Sequence, residues 1–392
     1  MSEWKEYRFS DIAKLAGVSV APEDAVKYPY IGLEHMKEGG FSLEGIGNAV
    51  DVISGKTLFR EGDILFGKLR PYFRKVYKAR FDGICSTDIW VIEAKNGFDQ
   101  SFLFYLVANQ RFVDILSKAA SGTKMPRASW SYASKLMFRV PEPSEQRAIA
   151  GVLSSLDDKI ELLRKQNETL EAMASALFKH WFVDGAKETW DTGTLNSILS
   201  VKGGTTPSTV NSEYWNGIIH WTTPKDLSNN PYIFLFDTER TISKQGLDQI
   251  SSGLLPVGTI LLSSRAPVGY LAITDIPVAV NQGYIAIIDN KGYSKYFLYL
   301  WLKLNMRYIK ANANGSTFRE ISKSVFKSLE SIKPPKQLRL EFDRIVEPLF
   351  QKIRTNSKRI DTLTRLRDLL LLKLMSGEIR VEDINSNGKG NK

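Results

Sequence analysis

The chain of 392 residues is poor in the groups that carry chemistry by themselves. It has one cysteine, Cys85, so no intrachain disulfide can form and a reducing, cytoplasmic setting is expected. Its three histidines, His35, His180 and His220, lie far apart and give no zinc-type ligand spacing. No apolar run approaches the roughly 20 residues that span a bilayer, and the opening residues lack the apolar stretch of a secretory leader. Neither membrane insertion nor export is therefore expected. What remains is ordinary globular material, 43% hydrophobic and 24% charged. Lys and Arg outnumber Asp and Glu by 53 to 43, and the net charge of +10 points to a polyanionic partner, nucleic acid first.

The chain repeats itself once, with a period of about 193 residues. Glu61-Gly62-Asp63-Ile64-Leu65 returns as Val257-Gly258-Thr259-Ile260-Leu261, and Arg139-Val140-Pro141-Glu142-Pro143 as Ile332-Lys333-Pro334-Pro335. A period this long means two copies of a whole domain with its linker, not a solenoid. Each half opens with short β-branched and aromatic runs that read as strands, among them 63–66, 73–77 and 89–92, then 259–263, 270–273 and 284–288. One Phe-, Tyr- and Leu-rich helix follows in each half, over about 101–118 and 294–310. A glycine-containing loop, a proline stop and a long helix complete the half.

The long helices carry the clearest periodicity. Ile149, Leu153, Leu156, Ile160, Leu163, Asn167, Leu170, Ala174, Leu177 and Trp181 step alternately by four and three, the seam of a coiled coil. The second copy runs Phe342, Val346, Leu349, Ile353, Asn356, Ile360, Leu363, Arg367, Leu370 and Leu374. Each seam is about 50 Å long at the helical rise per residue. Pro348 should kink or restart the second helix. The polar end of the chain is expected to be disordered.

Several enzyme-like strings fail on inspection. Gly55-Lys56-Thr57 lacks the upstream glycine of a phosphate loop, which is Val50 here. Asn230-Pro231-Tyr232 lacks the second proline of an amino-methyltransferase motif and reads as an Asn-Pro turn. Asp88, Glu93 and Lys95 imitate a nuclease triad, but they fall within one strand and need not converge on a metal. The positive signals are electrostatic. Lys68, Arg70, Arg74, Lys75, Lys78 and Arg80 occur without an intervening acid and are interleaved with Tyr72, Phe73 and Tyr77. Acid-free stretches recur over 115–141 and, in the second half, over 290–319. Taken singly such a run is a solvated face; its recurrence in both repeats favours phosphate binding.

At this point the chain resembles the specificity (S) subunit of type I restriction-modification systems. Lys202-Gly203-Gly204-Thr205-Thr206-Pro207-Ser208, Tyr214-Trp215 and Trp221-Thr222-Thr223-Pro224-Lys225-Asp226-Leu227 are similar to the opening of that family's target recognition domains. Ser263-Ser264-Arg265-Ala266-Pro267-Val268-Gly269-Tyr270 and Val280-Asn281-Gln282-Gly283 are similar to their middle, with Gly67-Lys68-Leu69-Arg70-Pro71-Tyr72 as a variant form. Pro143-Ser144-Glu145-Gln146-Arg147-Ala148-Ile149-Ala150 resembles the family's helix start.

The resemblance implies an α+β fold of two repeated target recognition domains, 1–144 and 185–335. A spacer helix (145–184) and a C-terminal helix (336–380) would pair as an antiparallel coiled coil with a pseudo-two-fold, ahead of a disordered tail (381–392). It implies a non-catalytic subunit whose domains each read half of a bipartite double-stranded DNA site. The helices would dock two methyltransferase (M) subunits, and restriction (R) subunits would join them. No cofactor is expected in this chain: S-adenosylmethionine belongs to the M partner, ATP and magnesium to the R partner. A self-contained nuclease or methyltransferase, or a coiled-coil adaptor that never touches DNA, stays open as an alternative.

DNA contacts are expected from the basic loops. The candidates are Lys68, Arg70, Tyr72, Arg74, Lys75, Lys124 and Arg127 in the first half. In the second they are Thr206, Ser208, Lys225, Arg265, Asn281, Gln282, Ser316, Thr317 and Arg319. Phe178, Phe182, Leu369 and Leu372 are candidate M-docking residues. Aligning the seam ends antiparallel sets Ile149 against Leu374 and Asn167 against Asn356, so this asparagine pair is expected to bond across the seam and fix its register. Arg367 would oppose Leu156 and must find an acid such as Asp157 or Asp158.

Overall fold

The computed structural model describes residues 4–49, 54–120, 124–265, 267–289, 291–315 and 319–382. The chain divides into two compact units, Met1–Lys159 with Leu363–Lys392, and Ile160–Thr362. Both are α+β. In the first, a four-stranded sheet is built around Ile64–Gly67 and Ile89–Ala94, a second around Lys56–Phe59 and Gly83–Cys85, and a two-stranded ribbon joins Lys5–Arg8 to Met137–Val140. In the second unit, a five-stranded sheet is built around Ile260–Ser263 and Tyr284–Asp289, a three-stranded sheet around Trp215–Thr222, and Asp191–Thr194 pairs with Glu330–Lys333.

Strand positions follow the β-branched runs with one exception. The segment expected as a strand over 73–77 begins in a 3-10 turn, Pro71–Phe73, and only Val76–Lys78 enters the sheet. The aromatic helix of each half is two helices, not one. Gln100–Ala108 stops at Asn109, and Gln110–Ala119 follows; Lys295–Leu304 stops at Asn305, and Met306–Ala311 follows. The Asn109 side chain accepts from the Arg111 N–H at 2.9 Å, so it caps the second helix instead of continuing the first.

The long helices are Pro143–Lys179 and Lys336–Ser376. The second is continuous through Pro348, so of the kink or restart expected from the missing N–H the restart does not occur. Each unit contains a segment of both helices, packed antiparallel. In the first unit Ile149, Ala150 and Leu153 share a core with Leu371 and Leu374. In the second Ala174 and Phe178 share one with Phe342, Val346, Phe350 and Ile353, and the Trp181 and Phe342 rings lie 5.9 Å apart. The aromatic helix packs on the seam in each unit, with Phe102–Ala108 buried in one core and Tyr296–Leu302 in the other.

Most of the proposed tail, 383–392, lies outside the described residues. Val381, placed in that tail by the sequence, packs against the first unit's core beside Ile379 and is ordered.

Candidate DNA-recognition surfaces and membership of a specificity family

In the first unit two of the acid-free runs meet. The Arg70 N–H donates to the Pro126 carbonyl at 2.7 Å, the Ala128 N–H to the Lys68 carbonyl at 2.8 Å, and Leu69 bridges Arg127. Lys68, Arg70, Tyr72, Lys124 and Arg127 thus occupy one loop cluster. Arg70 and Arg74 flank the Pro71–Phe73 turn in left-handed backbone, φ 50° and 47°, a conformation that costs a non-glycine residue on the order of 1 kcal/mol or more.

What holds this strain is visible in the side chains. Arg74 donates to the Gly39 carbonyl at 2.6 Å and lies 5.6 Å from the Phe41 ring, and burial pulls its guanidinium below the usual arginine range. Lys75 donates to the Leu33 carbonyl at 2.8 Å and faces Glu38 at 3.5 Å. Arg74 and Lys75, offered as DNA contacts by the sequence, are thus engaged in anchoring the loop. Arg127 forks onto Asp88 at 2.9 and 3.2 Å, which raises its pKa and compensates its charge. Lys68 and Lys124 have no ion pair among the described residues. Tyr72 is 51% exposed against the edge of Phe73.

The second unit repeats the arrangement. Arg265 bridges Glu320, as Leu69 bridges Arg127; the Ser264 N–H donates to the Gly283 carbonyl at 2.8 Å, and the Ile321 N–H to that of Ser264 at 3.0 Å. The loop after Ser264 is set by Ser263, whose hydroxyl accepts from the Gly269 and Tyr270 N–H groups and donates to the Pro267 carbonyl. Gly269 at φ 115° can be no other residue without strain. Gly204 is explained by close approach: a Cβ there would stand 1.6 Å from the Val280 carbonyl oxygen. Thr206 donates to Gln282 at 2.8 Å, which joins two candidate segments.

Several candidates are already engaged. The Asn281 carboxamide oxygen accepts from the Gly283 N–H at 2.9 Å, a turn contact. Lys225 is paired with Glu239 at 2.9 Å, and Arg265 faces Glu320 at 3.8 Å. Ser208 and Arg319 are exposed, and Ser316 and Thr317 lie outside the described residues. One cation was not singled out by any motif: Arg240, stacked on Trp215 with its guanidinium carbon 3.5 Å from the ring centroid. An isolated arginine between a turn and a short strand gives no sequence signal.

The helix candidates also divide. Phe178 and Phe182 are each 2% exposed and pack against Phe297 and Phe342, so they are core residues of the second unit and not a docking face. Leu369 and Leu372 are 52% and 53% exposed. Asn167 and Asn356 do not bond each other. Asn167 donates to the Ser357 hydroxyl at 3.2 Å and Asn356 to the Gln166 carboxamide at 3.4 Å, each reaching one residue past the expected partner. Arg367 finds Asp157 at 2.7 Å.

Among the described residues no group of three or more His, Cys, Asp or Glu is placed to hold a metal, and no helix is long and apolar enough to cross a membrane. Asp88 is held by Arg127 and Glu93 by Lys14 at 2.8 Å.

The chain thus holds two copies of one α+β unit, each with its motif loops gathered by an equivalent bridge. The family model of the type I restriction modification DNA specificity domain matches residues 1–172 and 187–365, and the chain belongs to this family. It is 28% identical over 465 residues to the type I restriction enzyme HindI specificity subunit of Haemophilus influenzae, covering 97% of this chain and 100% of that one. It is 37% identical over 191 residues to the MjaIX specificity subunit of Methanocaldococcus jannaschii, covering 48% of this chain and 44% of the other. The crystal structure of a type I restriction-modification S subunit from M. genitalium superposes with a TM-score of 0.60 at 19% identity, over 95% of this chain and 96% of that chain, which shows a shared fold.

Proposed function

We propose that the chain is the non-catalytic specificity subunit of a type I restriction-modification complex in the cytoplasm. Each recognition domain, 1–144 and 185–335, reads one half of a bipartite double-stranded DNA site. The observation that carries this reading is the paired loop cluster: the bridge from Leu69 to Arg127 and the bridge from Arg265 to Glu320 gather the motif loops at equivalent places in a chain of net charge +10. Lys68, Lys124 and Arg319 supply charge for phosphates. Arg70, Tyr72, Thr206, Ser208 and Gln282 supply groups that suit base edges and sugars.

The long helices, 145–184 and 336–380, act as spacer and dock two methyltransferase subunits. Leu366, Leu369 and Leu372 support that role: they are 42%, 52% and 53% exposed on one helix, where a closed seam needs no further apolar surface. S-adenosylmethionine then belongs to the methyltransferase, and ATP and magnesium to a restriction subunit.

The test is methylation mapping of a genome in cells that carry this chain and its methyltransferase partner. A two-part motif with a fixed gap is the expected result. The pure chain, given duplex DNA, magnesium and S-adenosylmethionine, should neither cut nor methylate; either activity overturns the reading.

A further inference from the structure

Arg240 opens the strand Arg240–Ile242 in the three-stranded sheet of the second unit, directly across from Trp221. Its guanidinium carbon lies 3.5 Å from the Trp215 ring centroid and 5.6 Å from that of Trp221. The two indoles meet edge to face at 5.1 Å and are buried, whereas Arg240 is exposed. Both rings are locked by their N–H groups: Trp215 donates to the Ser208 carbonyl at 3.0 Å, Trp221 to that of Thr205 at 3.4 Å. The loop so held is Gly203–Ser208, and its Thr206 hydroxyl bonds Gln282. A stacked arginine, the family's opening loop and the Asn281-Gln282 turn are therefore one connected assembly.

Two other candidate cations of this unit differ from Arg240. Lys225 is neutralised by Glu239 and Arg265 faces Glu320. Arg240 has no ion pair among the described residues. Stacking on an indole fixes the plane of a guanidinium and leaves its outer edge of N–H donors free. A phosphate can also take the fork in a bidentate pair, but a lysine on a flexible stem serves it as a point charge, so a fixed plane is not required there. A fixed plane suits a flat pair of acceptors held in one orientation, and the major-groove edge of guanine, O6 with N7, is such a pair.

We propose that Arg240 is a specificity-determining residue that reads a guanine in the half-site recognised by the second unit, with Trp215 as its positioning residue. The proposal rests on the DNA-reading function above and adds the base and the side chain to it.

The test uses the full chain together with its methyltransferase partner, comparing wild type, Arg240→Lys and Arg240→Ala. Wild type must first yield a bipartite methylation motif; its absence would refute the function itself, not this assignment. In both variants one G·C position in one half of the motif should become degenerate while the other half stays unchanged. Binding of the original site should weaken by about tenfold or more. Arg240→Lys keeps the charge and the cross-strand position, so it carries the test if Arg240→Ala fails to fold. An unchanged motif in Arg240→Lys overturns the proposal. So does an equal loss on all sequences with a shallower salt dependence, rescued by lysine, because that is a phosphate contact.

Discussion

The two units hold polar groups in their helix seams by different means. In the first unit Arg367 is 5% exposed, bound to Asp157 at 2.7 Å and Asp368 at 2.9 Å, with its guanidinium 4.2 Å from the Phe41 ring. Asp157 also accepts from the Tyr105 hydroxyl at 2.7 Å. In the second unit Asn356 is fully buried and Asn167 partly so, each donates one hydrogen bond, and the carboxamide oxygens of both have no partner among the described residues. One seam carries a charged group with its partners in place, the other a pair of neutral amides left half satisfied. A charged group without its partner is far more costly in low dielectric than an amide oxygen without one, so only the first must be complete.

The largest expected effect is therefore in the first unit. Arg367→Met should cost about 3–5 kcal/mol, because it leaves the Asp157 carboxylate buried without its cation. Burial already pushes the Asp157 carboxyl above the usual carboxylate range, while Arg367 and the Tyr105 hydroxyl pull it down. Without Arg367 it rises further. A carboxyl raised on folding favours the protonated native state, so the variant should be most stable below the unfolded-state pKa of about 4 and lose stability as pH rises through the raised value. Denaturant melts between pH 4 and 8 would show that slope. A pH-independent loss would mean that Asp157 stays solvated, and the contrast between the units would fall. The double variant Asp157→Leu/Arg367→Met should recover most of the loss.

A second prediction concerns how charge is deployed on the loops. In the first unit Lys68 and Lys124 are unpaired among the described residues; in the second Lys225 is tied to Glu239. Lys124→Ala should flatten the dependence of DNA affinity on salt by about one unit of slope, as expected for one lost phosphate contact. Lys225→Ala should change it much less, since the cation is already compensated. Equal effects from the two would show that the Lys225–Glu239 pair opens on DNA.

How much of this was legible beforehand depends on the range of the signal. The repeat and the seam positions follow from local periodicity, the antiparallel direction from the family resemblance, and the acid for Arg367 from the two together; all of them stand in the structure. The split of the aromatic helix was signalled only weakly: Asn109 favours a cap over a helix interior, but the apolar run continues past it, and its bond to the Arg111 N–H decides. Arg74 and Lys75 read like Lys68 and Lys124 in composition. Their partners, the Gly39 and Leu33 carbonyls, are backbone groups 35 and 42 residues away, and no residue type marks them. Phe178 and Phe182 stand beside the seam as exposed docking residues would, but the aromatic helix covers them. Burial of a face depends on what packs there, and periodicity gives only the face.

The smallest expected effect belongs to the amides of the second unit. Asn356→Leu removes one hydrogen bond, donated to the exposed Gln166, which water can replace. It also removes a buried carboxamide oxygen that has no partner, and it adds apolar surface to a seam between Ile353 and Ile360, both buried. Loss of the bond costs about 1 kcal/mol, while relief of the unsatisfied oxygen returns a similar amount. The net change in unfolding free energy should stay within about 1 kcal/mol of zero, against several for Arg367→Met. The double variant Asn167→Leu/Asn356→Leu should likewise fold. Asn167 and Asn356 would then matter for register alone: apolar side chains tolerate neighbouring alignments that a buried amide penalises. The substitutions Gln166→Cys and Asn356→Cys would read the alignment by crosslinking in a chain whose own Cys85 is fully buried. With Asn167→Leu added, efficient crosslinking at 166–356 and none between 166 and positions a turn away means that packing fixes the register. Crosslinks at both mean that the amides do.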